Sequence, residues 1–416
     1  MSKATVTSTS STSWRRNLVA IWFAELLAIV GFTVVIPLLP LYVQELGVQG
    51  EQEIRIWAGA IFSAHAVTRA VFGPIWGALS DRYGRKVMVE RAMFSGALLI
   101  ALMALARNVQ QLVLLRALQG ALTGTITAAN ALVATTAPRK RVGYALGMLQ
   151  MAIYVGASAG PLLGGLVADS LGYRAAFWVT GALLFLAALG VLFFVEEKFQ
   201  PLAPPLSEQA AANAGRLTLR RRVWNRLAPV LSSSLLLGLL GVRLLMRLGS
   251  CLLGPVLPLF IQDIAPAGAR VASITGLISG VGAAAGAVGA LGLGRLGDRI
   301  GHRGILMACA LVSAVCYVPQ CFVNGPTALL FWQAGAGLAM GGILASLSAS
   351  LARLAPEGQE GIVYGVDASV VSVASAIGPM TGSALAVWLG LPAPFLLAAG
   401  IFGLAGIATA RLLPRR

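Results

Sequence analysis

PLLPLYVQEL, Pro37–Leu46, returns 218 residues later as PVLPLFIQDI, Pro255–Ile264. The same shift carries Gly160-Pro161 onto Gly378-Pro379, and a shift of 217 carries GALSDRYGRK, Gly77–Lys86, onto GRLGDRIGHR, Gly294–Arg303. Matches that keep one offset along most of a chain mark a duplicated unit. The unit holds about six helices, an even number, so both copies enter the membrane in the same orientation.

Composition says which solvent surrounds the helices. The chain of 416 residues is 57% hydrophobic and 11% charged, with a mean hydropathy of +0.82. A soluble core cannot hide that much apolar surface. Runs such as NLVAIWFAELLAIVGFTVVIPLLPLYV and AAFWVTGALLFLAALGVLFFV meet the roughly 20 residues a helix needs to cross hydrocarbon. Hydropathy gives about six such segments before residue 200 and about six after 225.

The net charge of +16 is distributed by membrane side. RYGRK (82–86), RKR (139–141), RRR (220–222) and DRIGHR (298–303) fall on one face, while the opposite hairpins hold Glu45, Glu51, Glu53, Asp169 and Asp263. By the positive-inside rule both termini and the central loop are cytoplasmic, and the charge reads as topology rather than a nucleic-acid partner. The expected organisation is a disordered cytoplasmic tail over 1–13, a six-helix bundle over 14–196, a cytoplasmic linker over 197–226 and a second bundle over 227–416. The fold class is an all-α integral membrane protein of about twelve transmembrane helices in two pseudo-symmetric halves. Cys251, Cys309, Cys316 and Cys321 lack metal-ligand spacing and read as packing residues. With two histidines, no HExxH and no P-loop, the sequence offers no enzyme site, metal centre, cofactor site or ATP-driven pump.

Four motifs share one direction of reading. GALSDRYGRK places Gly77, Asp81, Arg82, Gly84, Arg85 and Lys86 after the second span. RALQG places Arg116, Gln119 and Gly120 in the fourth, and GASAGPLLGG places Gly156, Gly160, Pro161, Gly164 and Gly165 in the fifth. GFTVVIPLLP, with Gly31, Pro37 and Pro40, closes the first. Together they resemble the major facilitator superfamily and, within it, the twelve-helix drug:proton antiporters. The resemblance implies that superfamily's fold, a substrate site between the halves, proton-coupled efflux by alternating access, and a monomer in the cell membrane.

Glycines at 156, 160 and 164 form a side-chain-free stripe, which lets another helix approach closely where lipid supplies no hydrophobic drive. Pro161 removes a backbone hydrogen bond at the same level. This contact is expected to pack and to gate. Asp81, at the end of the second span, is placed to meet the N-terminal dipole of another helix, with Arg82, Arg85 and Lys86 seeking carboxylates. With the repeat-equivalent Asp298 and Arg299 they are expected to form a charge latch.

Ionisable residues within hydrocarbon need a reason to be there. Glu25 in the first span and Asp367 in the eleventh are the candidate proton carriers. Arg243 occupies the repeat-equivalent position of Glu25, one turn before Arg247, and either opposes Glu25 in a coupling role or pairs with it statically. The resemblance points to Arg116 as a partner in proton transfer, and an arginine can contribute only electrostatically. His65 and Arg69 share a helix face. The expected cavity draws on Trp22, Glu25, Asn130, Gln150, Tyr154, Arg243, Trp332 and Gln333, aromatic and polar tips that suit flat, amphipathic, often cationic molecules. The expected function is a proton-coupled exporter of small amphipathic or drug-like molecules, with an exporter of one sugar, amino acid or siderophore as the alternative.

Overall fold

The computed structural model describes residues 11–138, 141–197, 233–354 and 360–412. Nearly all of it is helix. α1 (Ser11–Val35) passes through a 3-10 turn at Ile36–Leu38 into α2 (Leu39–Glu45). Then come α3 (Glu51–Tyr83), α4 (Arg85–Met103), α5 (Val109–Leu122), α6 (Thr125–Thr136), α7 (Val142–Leu171) and α8 (Tyr173–Phe194). The second half follows with α9 (Ser234–Leu252), α10 (Leu257–Ile264), α11 (Val271–Ile300), α12 (His302–Gln320), α13 (Pro326–Leu354), α14 (Glu360–Leu389) and α15 (Ala393–Leu412). Most of the expected linker, and residues 1–10 of the expected tail, lie outside the described residues; α1 is already helical at Ser11.

Among the described residues nine segments are long and apolar enough to cross a bilayer, with α1–α2 and α9–α10 each counted as one. Three further segments complete twelve crossings. α3 carries Glu51, Glu53, Arg55 and Arg69, and α4 opens on Arg85-Lys86. α5 and α6 form one crossing, broken where Gly124 turns to φ +155°. Outward faces carry Leu98, Leu114, Leu186, Phe193, Val315 and Phe331, all exposed, which suits hydrocarbon solvent. The hairpins that join α3 to α4 and α11 to α12 are single residues, Gly84 at φ 96° and Gly301 at φ 100°. Only glycine enters that region without strain.

The duplication is visible contact by contact. Gly160 packs on Thr33 and Gly164 on Val34; shifted by 218, Gly378 packs on Cys251 and Gly382 on Leu252. Between the halves, Gly276 of α11 lies against the Pro161 carbonyl and Gly165 of α7, and Gly59 of α3 lies against the Pro379 carbonyl and Ser383 of α14. Gln44 and Gln262, 218 apart, hydrogen-bond each other reciprocally at 2.7 and 3.1 Å. Equivalent residues can touch only on the axis that relates the copies, so this glutamine pair marks where the pseudo-twofold axis leaves the protein.

Candidate functional site between the halves

Two ends of the bundle differ. At the end away from the basic loops the halves are fastened together. The Gln44–Gln262 pair is joined there by Arg55 Nη1 donating to the Ala386 carbonyl (2.9 Å), and the Ser273 N–H donates to Asp169 Oδ2 (2.7 Å). Ser158 Oγ donates to the Gly280 carbonyl (3.1 Å) nearer mid-helix. Among the described residues, every hydrogen bond between the halves lies from mid-helix to this end. Toward the basic loops the same four helices lose contact: added Cβ atoms at Gly73 and Gly77 of α3, Gly143 and Gly147 of α7, Gly292 of α11 and Gly365 of α14 would meet nothing within 4 Å. The molecule is closed at one end and open at the other.

α7 uses two faces. The stripe Gly156, Gly160, Gly164 packs against Ile29, Thr33 and Val34 of α1, inside its own half, and Thr33 Oγ1 donates to the Gly156 carbonyl (3.1 Å). The contact with the other half falls on the next face, where Gly165, Pro161 and Ser158 meet α11. The stripe therefore builds the half, and its neighbours form the contact with the other half.

Ile29 and Thr33 fix which way Glu25 points: one turn before Ile29, it lies on the face of α1 that meets α7. Its side chain is fully buried, and neither carboxylate oxygen has a hydrogen-bond partner. The repeat explains this isolation. Arg243, its equivalent in α9, faces α14 and pairs with Asp367, Nε to Oδ1 at 3.1 Å. Shifted back by 218, Asp367 falls on Leu149, fully buried and apolar. One half thus holds an ion pair where the other holds a lone acid, and Arg243 joins Asp367 rather than opposing Glu25.

Other expected site residues are scattered around this centre. Arg116 is buried and donates Nη1 to Gln119, beside His65, whose carbonyl lies under Gly120. Trp22 stacks edge-on with Phe23 at 4.8 Å, three residues before Glu25. Gln333 of α13 lies against Gly282 of α11. Asn130 and Tyr154 are half-buried, Gln150 is exposed one turn from Tyr154, and Trp332 stacks edge-on with Phe331. An apolar groove of about 630 Å³ opens sideways between α1 and α8, lined by Val19, Phe23, Leu27, Leu186, Gly190 and Phe194; it lies on the flank of one half.

The expected latch residues lie at the basic end. The Asp81 side chain lies outside the described residues, and Gly77 is uncovered. Arg82 stacks on Tyr83 at 5.5 Å, and Asp298 near the end of α11 pairs with His302 at the start of α12 at 3.2 Å, inside the same half. Two acids outside the motif make contacts of the kind expected of Asp81. Glu197 accepts the N–H groups of Arg85 and Lys86 (3.1 and 2.8 Å) at the start of α4, and Asp169 caps α11 from the other half. Carboxylates at such positions gain charge-assisted hydrogen bonds and a favourable dipole. Among the described residues Arg299 carries no inter-half hydrogen bond or ion pair.

Comparison with known proteins agrees with this architecture. The family model described as Major Facilitator Superfamily matches residues 21–246 and 239–416. The multidrug resistance protein MdtG of Enterobacter lignolyticus is 37% identical over 93% of this chain and 90% of its own length, and that of Salmonella arizonae is 34% identical over 97% of each. Among solved structures, a bacterial homologue of the human lysosomal transporter Spinster superposes with a TM-score of 0.76 at 16% identity, over 97% of this chain and 99% of its own. The nucleoside transporter NupG superposes at 0.75 and 12%, over 95% and 100%. With two homologous six-crossing halves joined about one axis, and with relatives matched along nearly its whole length, the chain belongs to the Major Facilitator Superfamily: it is a multi-pass membrane transporter, not an enzyme.

Proposed function

We propose that this protein exports small amphipathic or drug-like molecules across the cell membrane in exchange for protons, by alternating access. The observation that carries the reading is the asymmetry of the inter-half contact: pseudo-symmetric halves held at one end and parted at the other are one of two states that rocking would exchange. The basic end is cytoplasmic by the positive-inside rule, so the present state is open to the cytoplasm, ready to load an exported molecule. The basic charge serves topology rather than nucleic acid, and the working unit is the monomer. The relatives named as multidrug resistance proteins support the breadth of substrate.

Glu25 is the proton carrier in this reading. An ionised carboxylate buried without a partner is costly, whereas Asp367 already has Arg243. Arg116 and Gln119 form a polar step on α5. One pH unit supplies about 1.4 kcal/mol per proton, and about 100 mV adds about 2.3 kcal/mol per net charge moved.

Inverted vesicles acidified inside by respiration, with a pH-sensitive dye, test this. Dye recovery should follow addition of several unrelated amphipathic compounds, and Glu25→Gln should abolish it. Recovery with a single metabolite would establish the specific-exporter alternative, and silence across the panel would contradict proton-coupled export.

A further inference from the structure

The interior carries more positive charge than the proton reading uses. Among the described residues of the central helices Arg69, Arg116, Arg243 and Arg247 stand against Glu25 and Asp367. Arg243 and Asp367 neutralise each other, and Glu25 is buried apart on the α7 side of α1. Arg116 lies buried, donates to the neutral Gln119 and adds its own charge within electrostatic reach of Arg69. Arg69 of α3 and Arg247 of α9 remain.

These two come from different halves and lie within electrostatic reach of each other. α3 runs antiparallel to α9, with Phe62 against Gly254; two turns further toward the basic end, Arg69 lies within electrostatic reach of Arg247 and beside Cys251. Both arginines are exposed although they sit at mid-helix. No carboxylate accompanies either among the described residues. Arg247 is held by Ser375, whose Oγ accepts from Nε at 3.1 Å, so its two terminal amino groups stay unbonded among the described residues, as a fork. Arg69 makes no hydrogen bond or ion pair at all among the described residues. Two uncompensated guanidinium groups within electrostatic reach of each other at membrane depth repel, and an oxyanion between them removes the repulsion while accepting hydrogen bonds from both.

We propose that Arg69 and Arg247 form a clamp for the acidic group of an amphipathic substrate, a carboxylate, sulfonate or phosphoryl oxyanion. This rests on the transport reading above and gives it a substrate class opposite in charge to the cationic one that the aromatic lining suggests. Because the arginines belong to opposite halves, the anion also bridges the two bodies that rock, which places it where binding can bias their arrangement.

Equilibrium binding to the purified full chain in detergent tests the clamp without any proton gradient. The probes are two xanthene dyes of like shape and opposite charge, fluorescein and rhodamine 6G, read by fluorescence anisotropy. Fluorescein should bind, and Arg69→Gln and Arg247→Gln should each weaken it about tenfold or more, a loss of one hydrogen-bonded charge contact. Arg247→Lys should fall between, having charge without the fork. Rhodamine binding should be unchanged or stronger in the glutamine variants. Unchanged unfolding temperatures would show that these exposed sites are not structural; if one variant unfolds, the other and the lysine variant decide. Fluorescein binding altered less than about twofold in folded variants, or absent at about 1 mM dye, overturns the clamp. Such a failure leaves proton-coupled export standing, and loss of dye recovery in vesicles with the clamp intact would remove the coupling alone.

Discussion

Glu25 and Asp367 show how one residue type takes two roles from its neighbours. Asp367 with Arg243 is an ion pair whose members are only 12% and 15% exposed. Removing one partner of such a pair leaves an uncompensated charge and costs about 3–5 kcal/mol. Asp367→Asn should therefore lower the unfolding midpoint markedly, and the double variant Asp367→Asn with Arg243→Gln should recover much of that loss, measured by thermal unfolding in detergent. Glu25→Gln breaks no bond among the described residues, so it should fold like the parent while losing proton exchange. Equal destabilisation by Glu25→Gln would place the acid among structural contacts instead. The sequence disclosed both acids but not their partners. Repeat-equivalent positions suggest opposition between Glu25 and Arg243, yet each points to a helix of its own half, and equivalent residues meet only on the axis, as Gln44 and Gln262 do.

At the scale of the element, α7 separates packing within its half from contact with the other half on adjacent faces. A methyl on Gly164 would fall 3.0 Å from the Val34 Cα and carbonyl carbon, backbone that cannot yield. Gly164→Val should destabilise the protein by about 1–3 kcal/mol through overpacking, seen as a lower unfolding midpoint. Gly276→Val, by contrast, drives a side chain at the Pro161 carbonyl carbon, 2.9 Å from the first added atom, across the contact between the halves. It should leave each half folded and push the halves apart at the far end, raising the reactivity of a cysteine placed at Ser273. An unaltered labelling rate with a lowered midpoint would assign Gly276 to packing. The glycine stripe was readable because a four-residue spacing defines one helix face. Which helix covers that face is a tertiary fact, and the stripe's neighbour Gly165, alone in its register, gave no periodic signal. The N-terminal caps Glu197 and Asp169 were unreadable for the same reason: each acts on a helix distant in sequence, Asp169 and Ser273 being 104 positions apart.

For the whole molecule, the duplicated sequence set the architecture: helix number, equal orientation of the halves and the axis all follow from the 218-residue offset and the apolar runs. The state was not contained in it, since both members of an alternating pair must be compatible with one sequence. Here the contacts at Gln44–Gln262, Arg55–Ala386 and Asp169–Ser273 hold the far end shut, and transport requires each to part. The most direct test fixes that end. In a background with Cys251, Cys309, Cys316 and Cys321 replaced by serine or alanine, Gln44→Cys and Gln262→Cys would be joined by a short cleavable bis-thiol reagent, and substrate-driven proton movement followed in inverted vesicles. Alternating access predicts loss of movement on cross-linking and its return on cleavage, whereas full activity with the far end locked would contradict it.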